Sequence, residues 1–126
     1  MSLKAYQTVQ RKTESPRNTE YRLFAEVTRA LMDSREGPLN ELVAAIDWNR
    51  RLWLALQADL VHEGNKLPDK LKAQLISLAL WVDRHSVKVM RGQADAQALI
   101  DVNRSIMEGL AASAGAAQVP GQSAAA

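Results

Sequence analysis

The sequence predicts an all-α fold: a compact bundle of about four helices, with a flexible N-terminal arm and a disordered Ala-rich C-terminal tail. Three observations predict it. Apolar residues recur at helical spacing through most of the 126 residues, and Leu and Ala outnumber the β-branched and aromatic residues that favour strands. Proline and glycine divide this pattern into segments of helical length. We therefore expect one helical domain over residues 15–112, between an arm (1–14) and a tail (113–126).

The first two helices are bounded by proline and glycine. Ser15-Pro16 supplies an N-cap and a first helical position for a helix over about residues 16–33. Gly37-Pro38 separates it from a second helix over about residues 38–62, which Gly64-Asn65 is expected to end.

The third and fourth helices follow the same logic. The third is predicted to start at Pro68 and to end near Met90, with Gly92 as its stop, and the fourth spans about Asp95 to Ala112. The tail beyond consists mostly of Ala, Gly, Ser and Gln. Such a composition has too little apolar bulk to repay the entropy of ordering, so we expect disorder there.

The third helix is apolar on two faces. One stripe contains Leu71, Leu75, Leu78, Val82 and Val89, and a second stripe nearly opposite contains Ile76, Leu80 and Val87. A helix that is apolar on two sides must be covered on two sides. Either it is the central helix of the bundle, or its second stripe awaits a partner helix.

Trp48 and Leu52 raise the same alternatives on the second helix, because they lie opposite its main apolar stripe. Tryptophan is favoured at protein interfaces, although singly exposed apolar residues are common. The candidate partner-binding residues are therefore Trp48, Leu52, Ile76, Leu80 and Val87.

Two Asn-Arg pairs lie in two segments of the chain that have similar sequences. Residues 44–56 and 98–110 share the core Ile-Asp-x-Asn-Arg, which duplication or similar surroundings would both explain. The two asparagines lie beside the apolar stripes of their helices, and a buried amide must find hydrogen-bond partners. We expect a structural role, fixing helix register or capping a loop, for Asn49, Arg50, Asn103 and Arg104.

Composition argues against several classes of function. The chain has no cysteine, which excludes disulfides, thiolate chemistry and sulfur-ligated zinc. His62 and His85 lack metal-ligand spacing, and neither a phosphate-binding glycine loop nor a nucleophile–base pairing emerges. We expect no enzyme activity, no cofactor and no metal site.

The sequence also predicts a cytoplasmic protein without a membrane partner. Its longest uncharged apolar run, residues 73–82, is far shorter than the roughly 20 residues that a membrane span needs. The N-terminal residues have no apolar core of the kind found in signal peptides.

The charge pattern offers weak support for an RNA partner. Sixteen basic and fourteen acidic residues are interspersed along the chain, for a net charge of +2. Nucleic-acid binders usually cluster Lys and Arg on one surface, and the sequence shows no such run. A row on the third helix could still contact RNA phosphates: Arg84, Lys88 and Arg91. Because cations also suit the end of a helix, these residues are candidate RNA contacts, but direct nucleic-acid binding is not the function we expect.

Five groups of residues together resemble the family of the bacterial flagellar protein FlaF. They are Ser15-Pro16-Arg17, Asn49-Arg50-Arg51-Leu52-Trp53, Asn65-x-Leu67-Pro68, Ser77-Leu78 with Trp81-Val82, and Asn103-Arg104-x-x-Met107-x-Gly109-Leu110. Their order and spacing cover residues 5–110. The resemblance implies a cytoplasmic role in flagellin production and filament assembly, in concert with FlbT, which restrains the translation of flagellin mRNA.

The resemblance leaves two hypotheses. In the first, the chain is a secretion chaperone or adaptor that covers an amphipathic terminal segment of flagellin and keeps it soluble for export. In the alternative, it is a post-transcriptional regulator of flagellin mRNA that acts with FlbT or on RNA directly. The family offers no catalytic residues to carry over. Self-association stays open, since a homo-oligomer would also cover a second apolar stripe.

Overall fold

The computed structural model describes the backbone of residues 16–118 and the side chains of residues 19–109. Within that part the chain forms helices and no strand, which confirms the predicted fold class. The four helices are α1 (Pro16–Ser34), α2 (Leu39–Val61), α3 (Asp69–Met90) and α4 (Gln97–Gln118). The predicted arm and the predicted N-cap Ser15 lie outside the described residues.

The helices surround one apolar core. α1 packs against both α2 and α4, and α2 packs against α3, whereas α3 and α4 contact each other much less. All four helices contribute buried side chains to the core, among them Phe24, Leu31, Ile46, Trp53, Val82, Val89, Leu99 and Ile100. None of the described helices combines the length and the apolar character needed to cross a bilayer. Because α3 and α4 contact each other so little, the bundle is least closed between them.

The end of α2 differs from the prediction. The helix stops at Val61 and His62 is extended, so Gly64 does not act as its C-cap. The following loop supplies its own hydrogen bonds: the Gly64 N–H donates to Nδ1 of His62 at 3.0 Å, and the Leu67 N–H donates to Oδ1 of Asn65 at 3.0 Å. Bonds of this kind from side chain to backbone compete with continuation of the helix.

The end of α4 also differs. The helix runs to Gln118 and not to Ala112, so the first residues of the predicted disordered tail are helical. Alanine is the strongest helix former, and its abundance after Ala112 extends a helix that already exists. The rest of the predicted tail, residues 119–126, lies outside the described part of the chain.

Gly92 ends α3 as predicted. Its φ of 73° lies in the left-handed region that favours glycine. The Gly92 N–H donates to the Val89 carbonyl at 3.0 Å, and the Gln93 N–H donates to the Lys88 carbonyl at 2.8 Å. These paired bonds form a Schellman motif, which turns the chain sharply toward α4.

Asp95 links the start of α4 to the end of α1 through hydrogen bonds. Its Oδ1 accepts the Gln97 backbone N–H at 2.8 Å and so caps the helix. Its two carboxylate oxygens also accept bonds from Nε and Nη2 of Arg35, each at 2.8 Å. The bond from Arg35 and then that from the Gln97 N–H hold the pKa of Asp95 well below its usual range.

We expect this pair to make stability depend on pH in the acid range. Because the pKa of Asp95 is lower in the folded chain, its contribution is fully present above the ordinary value of 3.8 and is lost as pH falls through the folded value. Both side chains are partly exposed, so the effect is modest and weakens with salt. The urea midpoints of the wild type and Arg35→Gln should differ at neutral pH and converge in strong acid. A gap that stays constant with pH would contradict this account.

Candidate binding groove

An open apolar groove lies between the first turns of α3 and the middle turns of α4. It has a volume of about 430 Å³. Its apolar lining comes from all four helices and from the loop before α3, and includes Phe24, Leu56, Leu60, Leu67, Leu71, Leu75 and Ile106. On α3 these residues lie in the first turns, far from the loop that joins α3 to α4, and on α4 they lie near the middle of the helix. The two helices contact each other little, and the groove lies on the sides where their lining residues are found.

The groove has an acidic rim. Glu20 and Asp59 are among its lining residues, whereas no lysine or arginine is found among the described ones. Asp59 is held in place because its Oδ2 accepts a hydrogen bond from Nδ2 of Asn65 at 3.2 Å. The arrangement suits an occupant with an apolar face and basic flanks.

The wall formed by α4 contains small residues. Ser105 and Gly109 lie one turn apart on either side of Ile106, and all three line the groove. A Cβ atom added at Gly109 would meet nothing within 4 Å. The wall therefore has room for a larger side chain, and its small residues are part of what keeps the groove open.

A series of buried hydrogen bonds connects to the groove through Phe24 and Trp53. Phe24, which lines the groove, meets the edge of Trp53 at a ring-centroid distance of 5.6 Å. The Trp53 Nε1 donates to Oδ1 of Asn103 at 2.9 Å, and Nδ2 of Asn103 donates to Oδ1 of Asn49 at 2.8 Å. Both asparagines are fully buried. Directional bonds between buried groups fix how α2 and α4 sit against each other across the core.

The arginine that follows each of these asparagines reaches a neighbouring helix. Arg50 on α2 donates from Nε and Nη2 to Oδ1 of Asp83 on α3, at 3.0 and 2.8 Å. Arg104 on α4 directs Nη2 to the Met32 sulfur on α1 at 3.5 Å, a weak bond. Each Asn-Arg pair thus combines a core hydrogen bond with a contact to another helix.

The five residues predicted to bind a partner lie outside the groove lining. Trp48 is 42% exposed and Leu80 is 46% exposed. The others, Leu52, Ile76 and Val87, are half-buried. The second stripe of α3 is therefore not fully covered by the bundle, and Leu52 packs against the core.

The five residues lie on two helices. Trp48 and Leu52 are on α2, and Ile76, Leu80 and Val87 are on α3. Arg50 faces α3, because it bonds to Asp83. Trp48 precedes Arg50 by two residues on the same helix, so helix geometry places it about 200° around α2 from the side that bonds to Asp83.

The other candidates from the sequence are surface features. Arg84, Lys88 and Arg91 are exposed at the end of α3, and within the described side chains none of them pairs with an acid. His85 stacks on Trp81 at 4.7 Å. Among the described residues, no group of His, Asp and Glu is arranged to hold a metal ion.

Sequence reasoning missed the groove as a site. It assigned Leu71 and Leu75 to the core stripe of α3, but both line the groove and Leu71 is 39% exposed. The available signal was Ser105 with Gly109, two small residues one turn apart beside the apolar Ile106.

Fold and site together define a class of protein: a small helical protein whose described residues form a bundle of four helices with an open, acid-rimmed apolar groove. The chain belongs to the FlaF family, since the family model for the flagellar protein FlaF matches residues 2–110. This confirms the resemblance and gives the chain a role in flagellum biogenesis. The matched range includes every described residue of the groove. No curated protein and no solved structure gives a significant match.

Proposed function

We propose that this protein is a cytoplasmic, non-enzymatic chaperone or adaptor that binds flagellin and supports its synthesis and export. The single observation that carries the proposal is the open apolar groove between α3 and α4. A terminal segment of flagellin would dock there as an amphipathic helix. Membership of the FlaF family supplies the flagellar context, and the identity of the partner is what the proposal adds.

The shape of the groove supports a helical occupant. A channel between helices can admit a further helix, which contacts both walls with side chains at i, i+3, i+4 and i+7 spacing. The groove offers such walls, since Leu71 and Leu75 on α3 and Ile106 on α4 all line it. Burying a large apolar side chain stabilises a complex by roughly 1.5–3 kcal/mol, so a few such anchors offset much of the cost of association.

The groove is a better docking site than either exposed patch. Trp48 and Leu80 are exposed on different helices, and single exposed apolar residues are ordinary on protein surfaces. The groove, by contrast, gathers apolar side chains from four helices into one concavity. Concave apolar sites with few polar groups are where ligands usually bind.

We predict that two unrelated changes in the groove weaken flagellin binding. Leu75→Asp places a carboxylate on an apolar wall, and Gly109→Trp fills the channel from the wall where a side chain has room. Each should raise the Kd for purified monomeric flagellin at least about tenfold, equivalent to about 1.4 kcal/mol. Calorimetric titration measures the Kd, and circular dichroism checks that the variants remain helical.

Matched changes on other faces serve as controls. Leu80→Asp repeats the first substitution on the outer stripe of α3, and Ala58→Trp repeats the second at an exposed position of α2 outside the groove lining. Both should bind flagellin as the wild type does. If Leu80→Asp loses binding while the two groove variants keep it, the docking site is the outer face of α3 and the groove proposal is wrong.

A second candidate function is control of flagellin mRNA translation, directly or with FlbT. The observation that favours it is the exposed basic row Arg84, Lys88 and Arg91, which has no acidic partner among the described side chains. Three phosphate contacts predict that log K falls with log salt at a slope of about −2 on a single strand. A gel-shift series with a flagellin leader transcript tests the direct version. No shift at low salt would contradict it.

A further inference from the structure

We infer that residues 1–15 of this chain occupy the groove in the free protein, and that flagellin must displace them. The first part of this inference stands on the groove alone. The second part rests on the proposed function. A cis occupant of this kind would cover the apolar channel until the partner arrives.

The position of the groove brings it next to these residues. The chain enters α1 at Pro16, and Glu20 and Phe24, in the first turns of that helix, line the groove. Fifteen residues reach about 22 Å as a helix and up to about 50 Å when extended. The described chain therefore begins within two turns of the groove lining, and fifteen residues have the reach to span the groove.

Their chemistry matches the lining. Leu3, Tyr6 and Val9 are spaced three apart, so that in a helix they share one face. The same segment carries three basic residues, Lys4, Arg11 and Lys12, against the single acidic Glu14. An apolar face with basic flanks is the complement of an apolar groove with a rim formed by Glu20 and Asp59.

The other end of the chain does not fit. Residues 119–126 contain no charged residue, and their largest apolar side chain is that of Val119. The FlaF match begins at residue 2 and ends at residue 110, so the N-terminal segment belongs to the same family unit as the groove, and the Ala-rich end does not. Of the two segments outside the described residues, the N-terminal one is the suitable occupant.

A tethered occupant would weaken the apparent affinity of the groove for the partner. A short linker holds a segment near its site at an effective concentration in the millimolar range. A partner that enters the same groove must compete with it, so its apparent Kd equals its intrinsic Kd divided by the fraction of unoccupied grooves. Weak apolar contacts with other proteins or with a second copy of the chain would be excluded by the same competition.

Disulfide trapping in the full-length chain tests the inference, because the natural sequence has no cysteine. In the test variant Tyr6→Cys is combined with Gly109→Cys in the groove wall. In the control variant Tyr6→Cys is combined with Ala58→Cys, next to the rim residue Asp59 but outside the lining. At low micromolar concentration in a glutathione buffer, the test pair should form an intramolecular disulfide at least about fivefold faster than the control pair, because docking raises the local concentration.

Three results would overturn the inference. Equal rates for the two pairs would mean that the segment has no preference for the groove, and a test pair that does not close would mean that it is elsewhere. A disulfide-linked dimer as the main product would assign the groove to a second copy of the chain.

Adding flagellin separates this inference from the proposed function. If both are correct, flagellin slows closure of the test pair and leaves the control pair unchanged. Rapid closure that flagellin does not affect would keep residues 1–15 in the groove but contradict displacement. If the test pair closes slowly and Leu75→Asp loses flagellin binding, the proposal that flagellin binds the groove is supported. The inference that residues 1–15 occupy it is then wrong.

Discussion

Replacing Trp53 with alanine is expected to lower the free energy of unfolding by about 3–5 kcal/mol. The side chain is only 2% exposed, and its ring meets Phe24 edge to face at 5.6 Å. Its removal leaves a cavity in the core and leaves Oδ1 of Asn103 without the donor it has at 2.9 Å. Since small domains have a total stability of about 5–15 kcal/mol, the variant should be close to unfolding at room temperature.

Trp53→Phe separates the packing of Trp53 from its hydrogen bond. Phenylalanine keeps an aromatic ring against Phe24 but has no N–H for Asn103, so we expect a loss of about 1–3 kcal/mol, the penalty for one unsatisfied buried polar group. Urea unfolding followed by circular dichroism measures both variants. If Trp53→Ala lowers the free energy of unfolding no more than Trp53→Phe does, the aromatic ring does not contribute to the core as the structure implies.

Asn103→Asp, a near-isosteric change, is expected to lower the free energy of unfolding strongly at neutral pH. Asn103 is fully buried, and its hydrogen-bond partners, Trp53 and Asn49, are neutral. A carboxylate there would be an uncompensated buried charge, which costs roughly 3–5 kcal/mol. Burial raises the pKa of such a group in the folded state. The decrease in the free energy of unfolding should therefore be largest at neutral pH. It should become smaller in acid, where the protonated carboxyl group can again donate a hydrogen bond to Asn49.

The matched control for this prediction is Asn40→Asp. Asn40 is exposed in the first turn of α2, where a negative charge is favoured by the helix dipole. At neutral pH the urea midpoint of the control should equal that of the wild type or be slightly higher. Urea midpoints of both variants at neutral and acid pH are compared with the wild type. A loss in Asn103→Asp that does not depend on pH would mean that geometry, and not charge, is responsible.

Much of the fold followed from local signals in the sequence. Pro16, Gly37-Pro38 and Gly92 lie at helix ends as predicted, because proline and left-handed glycine act on their own neighbours. The predicted end of α2 at Gly64 was wrong because His62 and Asn65 form bonds within the loop that composition does not reveal. The extension of α4 shows that alanine content favours helix where apolar content alone suggested disorder.

The site was less predictable, because it depends on how helices are inclined to one another. Periodicity assigns a residue to a face of its helix but does not say which neighbour that face meets. It selected Trp48 and Leu80 as apolar residues outside the main stripes of their helices, and both side chains are exposed in the structure. It indicated that Asn49 and Asn103 would need hydrogen-bond partners, but only the packing of α2 and α4 shows that they bond to each other.

The most direct test of the account is to locate flagellin on the surface by methyl NMR. With labelled Leu, Ile and Val methyl groups, a titration with monomeric flagellin should shift or broaden the signals of the groove residues Leu67, Leu71, Leu75 and Ile106. The signals of the exposed residues Leu54, Val61 and Leu80, which lie outside the groove lining, should stay in place. Changes confined to Leu54 and Leu80, with the groove signals unmoved, would contradict the account.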